Sequence, residues 1–325
     1  MRQITYAQAI NEGISQSMDL CQDVVVLGQL VNYKGGIFGT TNGLVDKFGS
    51  QRVQDYPDSE ALMTSAAIGA AVTGLRPILV HARLDFMIYS LDAIVNWMSL
   101  WRFKSNGKAS MPVVIRAVVG KGWGQGPQHS KSLHAWFAHL PGFRVAMPAT
   151  AYDVKGLLLE SILGENPVLI IEHRSLFSMK CEVPEIPYRV RFGKGVVRRK
   201  GTDVTLVAIG GMVPLALRVA ERLAGESIDI EVLDPRTISP LDTGLILQSL
   251  RKTRRLVVAD PAWEFAGISA EIIAQASSEM ARDMKSNPIR IAFPNSHTPV
   301  SHKLEEMYYP SEELFAHKLR SIVKQ

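Results

Sequence analysis

Arg52-Val-Gln-Asp-Tyr-Pro-Asp-Ser-Glu-Ala-Leu62 runs from a loop into a helix of small apolar residues, with Glu60 at the point of entry. The helix expected over 61–73 carries Ala66, Ala67, Gly69, Ala70 and Ala71, so other backbones can approach it closely. A carboxylate at a helix head is favoured by the helix dipole, and burying it costs free energy. Taken alone, the segment makes Glu60 an N-terminal helix acid. The rest of the chain changes that reading.

Outward from this segment, strand and helix patterns alternate. Apolar residues recur at helical spacing over 5–18 with Thr5 as N-cap, and Val24 to Leu27 reads as a buried strand. Further strands are expected over 77–81, 112–119, 143–146 and 167–172. A long amphipathic helix over 85–102, carrying Trp97 and Trp101, and another over 153–163 fill the intervals. Residues 174–195, with Pro184, Pro187 and several charges, break the rhythm as a linker would. Strands over 204–209, 228–233, 255–259 and 289–292 then alternate with helices over 214–224, 241–249 and 268–280. Strands separated by helices mean parallel sheets covered on both faces, so the fold class is α/β with two parallel-sheet domains. A length of 325 residues also exceeds one ordinary core.

Composition excludes several classes. The apolar runs at 167–171 and 204–209 are strand length, far too short to span a bilayer. No apolar export region follows Arg2, and Cys21 and Cys181 make no disulfide framework, so a cytoplasmic location is expected. The net charge of +5 is modest. The basic clusters at 198–200 and 251–255 lack interleaved aromatics and read as a solvated face or a surface for an acidic protein, not a nucleic-acid site.

Gly120-Lys-Gly-Trp-Gly-Gln-Gly126 has neither the Lys-Ser/Thr ending of a P-loop nor the spacing of a dinucleotide fingerprint. Its glycines let the backbone pass close to a ligand. His129, presented by this loop beyond a strand, is the acid–base candidate, because ligands gather at strand ends in open α/β sheets. His134 and His139 flank Trp136 and Phe137 and are expected to be packed and hydrogen-bonded. The five-residue spacing of these three histidines argues against a metal site, since helical ligand pairs want three or four. His81 and His173 read as satisfied core histidines. Ser130 and Ser132 lack the G-x-S-x-G elbow of a serine hydrolase.

A set of motifs becomes specific when taken in order. It comprises Gly35-Gly-Ile-Phe38, Gly43-Leu-Val-Asp-Lys-Phe-Gly49, Pro57-Asp-Ser-Glu60, Gly74-Leu-Arg-Pro77 and Leu91-Asp-Ala-Ile-Val-Asn96. Gln128-His-Ser130, Ala135-Trp-Phe-Ala-His-Leu-Pro-Gly142 and Asp153-Val-Lys-Gly-Leu157 follow. Gly201-Thr-Asp-Val-Thr205, Arg236-Thr-Ile-Ser-Pro-Leu-Asp242 and Tyr309-Pro310 complete it. Over nearly the whole chain this resembles the β subunit of thiamine-diphosphate-dependent 2-oxo acid dehydrogenases (pyruvate, branched-chain and acetoin types), a transketolase-like family.

The resemblance implies a pyrimidine-binding domain over 1–180, a linker over 181–197 and a transketolase C-terminal-like domain over 198–325. It implies an oxidoreductase subunit that decarboxylates a 2-oxo acid, or cleaves acetoin, and passes the acyl group to a lipoyl domain. Active sites in the family lie between subunits. A separate α subunit supplies the diphosphate and Mg2+ site through a Gly-Asp-Gly motif, which this chain lacks. An α2β2 heterotetramer with β–β contact is therefore expected, with a lipoyl-bearing acyltransferase as partner. Glu60 falls on the family glutamate that hydrogen-bonds the aminopyrimidine ring of thiamine diphosphate. Phe86 falls on the aromatic packed against that ring, and His129 on a histidine of the substrate channel.

Three residues depart from the family pattern. Gln29 replaces an acid of a proposed proton relay, and a glutamine cannot ionise. Asp58 replaces the usual Leu or Ile and puts a second carboxylate beside Glu60; both it and Gln29 are expected at the cofactor. Arg83 stands where a small or neutral residue is usual, and either neutralises Asp58 or meets a more acidic substrate. Two rival readings stay open: a split transketolase-like ketol transferase subunit, and a catalytically idle scaffold. Gln29 and Asp58 keep the scaffold open, whereas Glu60, Phe86 and His129 argue against it.

Overall fold

The computed structural model describes residues 2–120 and 124–324, so Lys121, Gly122 and Trp123 of the glycine-rich loop lie outside the described residues. The chain divides into two units: Met1–Gly120 with Trp136–Phe192, and Lys121–Ala135 with Gly193–Gln325.

In the first unit, β1 (Arg2–Thr5) leads into α1 (Tyr6–Leu20) through a capping box. The Thr5 side chain accepts from the Gln8 N–H, and the Gln8 side chain accepts from the Thr5 N–H, satisfying two donors that the first turn would otherwise leave open. The main strands are β2 (Val24–Gly28), β3 (Val53–Asp55), β4 (Arg76–His81), β5 (Val114–Val119), β6 (Arg144–Ala146) and β7 (Val168–His173). They run parallel in the spatial order β6-β7-β5-β4-β2-β3. Val24, Val26, Ile78, Val80, Val114 and Val118 share one apolar cluster with Ile10 and Ile14 of α1 and with Val154 and Leu157 of α3 (Ala151–Ile162). The alternate residues Val25, Leu27, Leu79 and Ile115 are buried as well, so both faces are covered. This is why the strands read as continuous apolar runs. Helix α2 (Glu60–Val72) packs on β4.

The chain leaves β2 toward β3 on one side and leaves β4 toward β5 on the other. Adjacent strands whose connections diverge in this way leave a crevice at their carboxyl ends. Deeper in the sheet, Arg116 on β5 and Glu172 on β7 form a fully buried pair, Nε–Oε1 2.5 Å and Nη2–Oε2 2.9 Å. Nη2 also donates to Thr40 Oγ1 at 3.0 Å.

Two segments differ from the sequence expectation. The single helix expected over 85–102 is broken into the turns Leu84–Met87 and Ile88–Ser90, a π-helical stretch Ala93–Met98, and the turn Trp101–Lys104. A five-residue hydrogen bond, Ser99 N–H to Ile94 O at 3.0 Å, shifts the register there, and Trp97 stays about half exposed. Within the segment read as linker, β8 (Lys180–Val183) pairs antiparallel with β1. Lys155 Nζ then donates to the carbonyls of Pro184, Glu185 and Ile186 and to Glu12 Oε1, tying this stretch to the first unit.

The second unit contains β9 (Val196–Arg199), β10 (Val204–Ala208), α4 (Met212–Ala224), β11 (Ile230–Asp234) and α5 (Thr243–Thr253). It continues with β12 (Leu256–Trp263), α6 (Ile268–Met280), β13 (Ile289–Phe293) and α7 (Glu312–Val323). The order is β13-β12-β10-β11-β9, parallel except for the edge strand β9. His134 Nε2 bonds Asp260 Oδ1 on β12 at 2.8 Å, and its Nδ1 meets Ser132 Oγ at 3.1 Å. Asp260 Oδ2 accepts from the Ser269 N–H at 2.9 Å. The trio has the composition of a hydrolytic triad, but all three residues are buried, and it works as a strut for the loop before Ala135. His139, expected to be packed, is exposed instead. No described helix is long and apolar enough to cross a membrane.

Removing one partner of the Arg116–Glu172 pair strands a buried charge. Arg116→Met is expected to lower the unfolding free energy by about 3–5 kcal/mol in urea titrations, and adding Glu172→Leu should recover most of it. Equal losses in the single and double variants would refute this account.

Candidate active site

The crevice beyond β2 and β4 is built on a close approach of backbones. Gly28 ends β2 at φ 140°, and a Cβ there would lie 2.2 Å from Val80 O. Only glycine fits, and it lets the Gln29 N–H donate to Val80 O at 3.0 Å. Leu30 then takes a left-handed φ of 58° and turns the chain away. Asp55 Oδ1, at the end of β3, fixes that turn by accepting from the Val31 and Asn32 N–H groups at 2.6 and 3.2 Å.

Gln29 is 6% exposed, and its side chain is hydrogen-bonded at both ends. Its Oε1 accepts from the Ala82 N–H just past β4 at 3.0 Å. That bond identifies the oxygen end of the amide, because a backbone N–H can only donate. The other end, Nε2, donates to Asp58 Oδ1 at 3.1 Å and to Glu60 Oε1 at 3.0 Å. Gln29, Asp58, Glu60 and the Ala82 N–H thus form one hydrogen-bonded cluster across three loops.

Glu60 is the first residue of α2, half-buried, and its Ser59 N-cap makes no side-chain cap bond. Its backbone is held by a relay of hydroxyls. Ser90 Oγ donates to the Glu60 carbonyl at 2.8 Å, and Thr64 Oγ1 donates to Ser90 Oγ at 2.8 Å. With the Thr64 proton spent on Ser90, His81 Nε2 is the donor in its 3.4 Å contact with Thr64 Oγ1. Burial lowers the His81 pKa to about 3, so the ring is neutral near neutral pH. His81 Nδ1 is buried without a hydrogen-bond partner, so this core histidine is only half satisfied, against expectation.

Phe86 lies half-buried on the turn Leu84–Met87 that follows β4. Arg83 is buried, and its Nη1 donates to Gly120 O at 3.1 Å, at the end of β5. His129 belongs to the second unit, half-buried after the turn Gly126–Gln128. Sequence reasoning missed Ser90, Thr64 and the Ala82 N–H. Hydroxyls on buried helix faces and a backbone donor carry no motif that could have marked them.

Chemically, Glu60 presents a carboxylate with one oxygen held and the other open. Oε2 makes no hydrogen bond within the described residues, on a side chain that reaches solvent. Such a group can accept a proton from, or share one with, a ring nitrogen placed against it. An open acceptor of this kind is chemically suited to a ring that carries N–H donors.

Residues 2–180 match the family described as transketolase, pyrimidine binding domain, and residues 193–314 the family described as transketolase, C-terminal domain. The acetoin:2,6-dichlorophenolindophenol oxidoreductase subunit beta of Cupriavidus necator is 39% identical over 333 residues, covering 99% of this chain and 98% of that one. The pyruvate dehydrogenase E1 component subunit beta of Bacillus subtilis is 34% identical over 325 residues, covering 100% of each. A solved structure described as a split gene transketolase, inactive beta4 tetramer, superposes with a TM-score of 0.79. It covers 99% of this chain and 98% of that one at 21% identity, a likeness of fold.

His81 makes stability depend on pH. Between pH 6.5 and about 3 the unfolded chain takes up a proton there that the folded chain refuses, so stability falls as pH drops through that window. His81→Asn should remove about one proton from the slope of unfolding free energy against pH, roughly 1.4 kcal/mol per pH unit. Urea titrations at stepped pH measure it, and an unchanged slope would refute the neutral buried ring.

Proposed function

The chain belongs to the transketolase-like family of pyruvate and acetoin dehydrogenase β subunits, and from that premise we propose that it is the β subunit of a thiamine-diphosphate-dependent 2-oxo acid dehydrogenase. It decarboxylates a 2-oxo acid, or cleaves acetoin, and passes the acyl group to the lipoyl domain of an acyltransferase. The observation that carries this reading is Glu60, held through Oε1 by Gln29 with Oε2 open, in the crevice beyond β2 and β4.

Thiamine diphosphate, when bound, supplies an electron sink for cleaving the bond next to a carbonyl carbon. Glu60 Oε2 would hold the pyrimidine ring and exchange a proton with it at that atom. Phe86 would pack against the ring, Asp58 and Gln29 would line its approach, and His129 would hold or move a proton on the substrate. The chain has no Gly-Asp-Gly motif, so a separate α subunit would carry the diphosphate end and Mg2+. The working enzyme is then an α2β2 heterotetramer in the cytoplasm, with contact between its β subunits. Residues 1–180 would serve as the pyrimidine-binding domain and 198–325 as the C-terminal domain, with 181–197 as the connecting stretch whose first residues are held to the first unit by β8 and Lys155.

The ketol-transferase reading leans on a likeness of fold at 21% identity, whereas the full-length identities of 34% and 39% lie with dehydrogenase β subunits.

The test is release of labelled carbon dioxide from a panel of 2-oxo acids, with acetoin cleavage in parallel, by the chain co-purified with its α subunit. Glu60→Gln is expected to cut turnover by about 100-fold or more, the scale on which positioned acid–base groups act. Unchanged turnover would end the role of Glu60. Absence of activity in the unaltered pair would favour the idle scaffold.

A further inference from the structure

The single NH2 group of Gln29 serves two carboxylates at once, with Asp58 Oδ1 at 3.1 Å and Glu60 Oε1 at 3.0 Å. Among the described residues neither carboxylate has a Lys, Arg or His ion-pair partner, so a neutral amide is what stands between two negative charges. The opposite end of that amide is taken by the Ala82 N–H. Rotating the amide would therefore break three bonds together, in a side chain sheltered from water. Few side chains meet these demands. The group must accept one backbone N–H and donate two N–H bonds to oxygens, with no charge of its own. An ionised acid at position 29 still accepts from Ala82 but cannot donate, and it faces two like charges. Leucine or alanine leaves the Ala82 donor and both carboxylates without this partner.

We infer that Gln29 is a positioning residue for Glu60 and that Asp58 is its coupled counterpart. Asp58 takes the second N–H, which fixes the plane of the amide and so aims the first N–H at Glu60 Oε1. The identities at positions 29 and 58 are interdependent: an acid at 29 is tolerated only when 58 is neutral. The positioning role rests on the function proposed for Glu60. The coupling does not, because it is a property of the folded chain alone.

A double-mutant cycle in the full-length chain tests the coupling without any activity. Gln29→Glu raises the unfolding equilibrium constant by about tenfold or more, the scale of lost hydrogen bonds to charged groups. Asp58→Asn keeps an acceptor oxygen for Gln29 and changes the constant by less than about threefold, and the double variant returns to within about threefold of the unaltered chain. If Gln29→Glu gives no folded protein, recovery of folded chain by adding Asp58→Asn gives the same result. Additive losses, or a double variant that also fails to fold, overturn the coupling.

The positioning role is read in the assembled enzyme. The double variant restores the charge count but not the donor to Glu60, so its kcat stays at least about tenfold low while KM moves less than about threefold. Full recovery of kcat along with stability overturns positioning and leaves Gln29 as a structural tether. Unchanged turnover in Glu60→Gln would remove the role of Glu60 and leave the stability cycle standing, so the two failures are distinguishable.

Discussion

The end of β2 passes so close to Val80 that no side chain fits at position 28, and the crevice depends on that closeness. With Gly28 in place, the Gln29 backbone pairs with Val80 and its side chain reaches the end of β4 at Ala82. Neither contact forms if the strands splay to admit a Cβ. The loop after β3 is then drawn in by its carboxylates, which meet the same amide. Three loops that are distant in sequence are thus tied to one side chain, and the strand spacing determines where it sits.

Around this point the polar groups are arranged with a consistent direction. His81 donates to Thr64, Thr64 to Ser90, and Ser90 to the Glu60 carbonyl. A buried hydroxyl has one proton, so fixing the direction of one bond fixes the next. The chain ends on the backbone of Glu60, while Gln29 holds its side chain. Glu60 is therefore restrained at both ends by neutral groups, and its second oxygen makes no hydrogen bond among the described residues.

Much of the fold was legible because buried parallel strands leave continuous apolar runs, as at 24–27 and 77–81, and because Thr5 marks the start of the first helix as its N-cap. The short strands Val53–Asp55 and Lys180–Val183 were not, since each is mostly polar and only partly buried and so leaves no apolar run. The broken helix over 85–102 was misread because a π-helical register shift leaves apolar periodicity nearly intact. At the site, Glu60 stood out through its place before a small-residue helix. Gln29 and Asp58 stood out separately, as two departures 29 positions apart, and only the fold puts them on one hydrogen-bonded amide. Ser132, His134 and Asp260 make the opposite point: residue types that suggest chemistry are sealed from solvent, and burial turns them into a strut.

The choice of an amide over a cation at position 29 has a physical consequence. An arginine would bind two carboxylates more strongly, but as ion pairs, with their charge neutralised in place. An amide orients the same oxygens through weaker, directional bonds and leaves their charge uncompensated by the chain. Two carboxylates so held favour an incoming group that carries hydrogen-bond donors, and they disfavour one that brings further negative charge. A crevice of this kind suits the donor-bearing ring of a cofactor better than its phosphate end. That asymmetry is what a chain needs if it grips one end of a molecule and leaves the other to a partner.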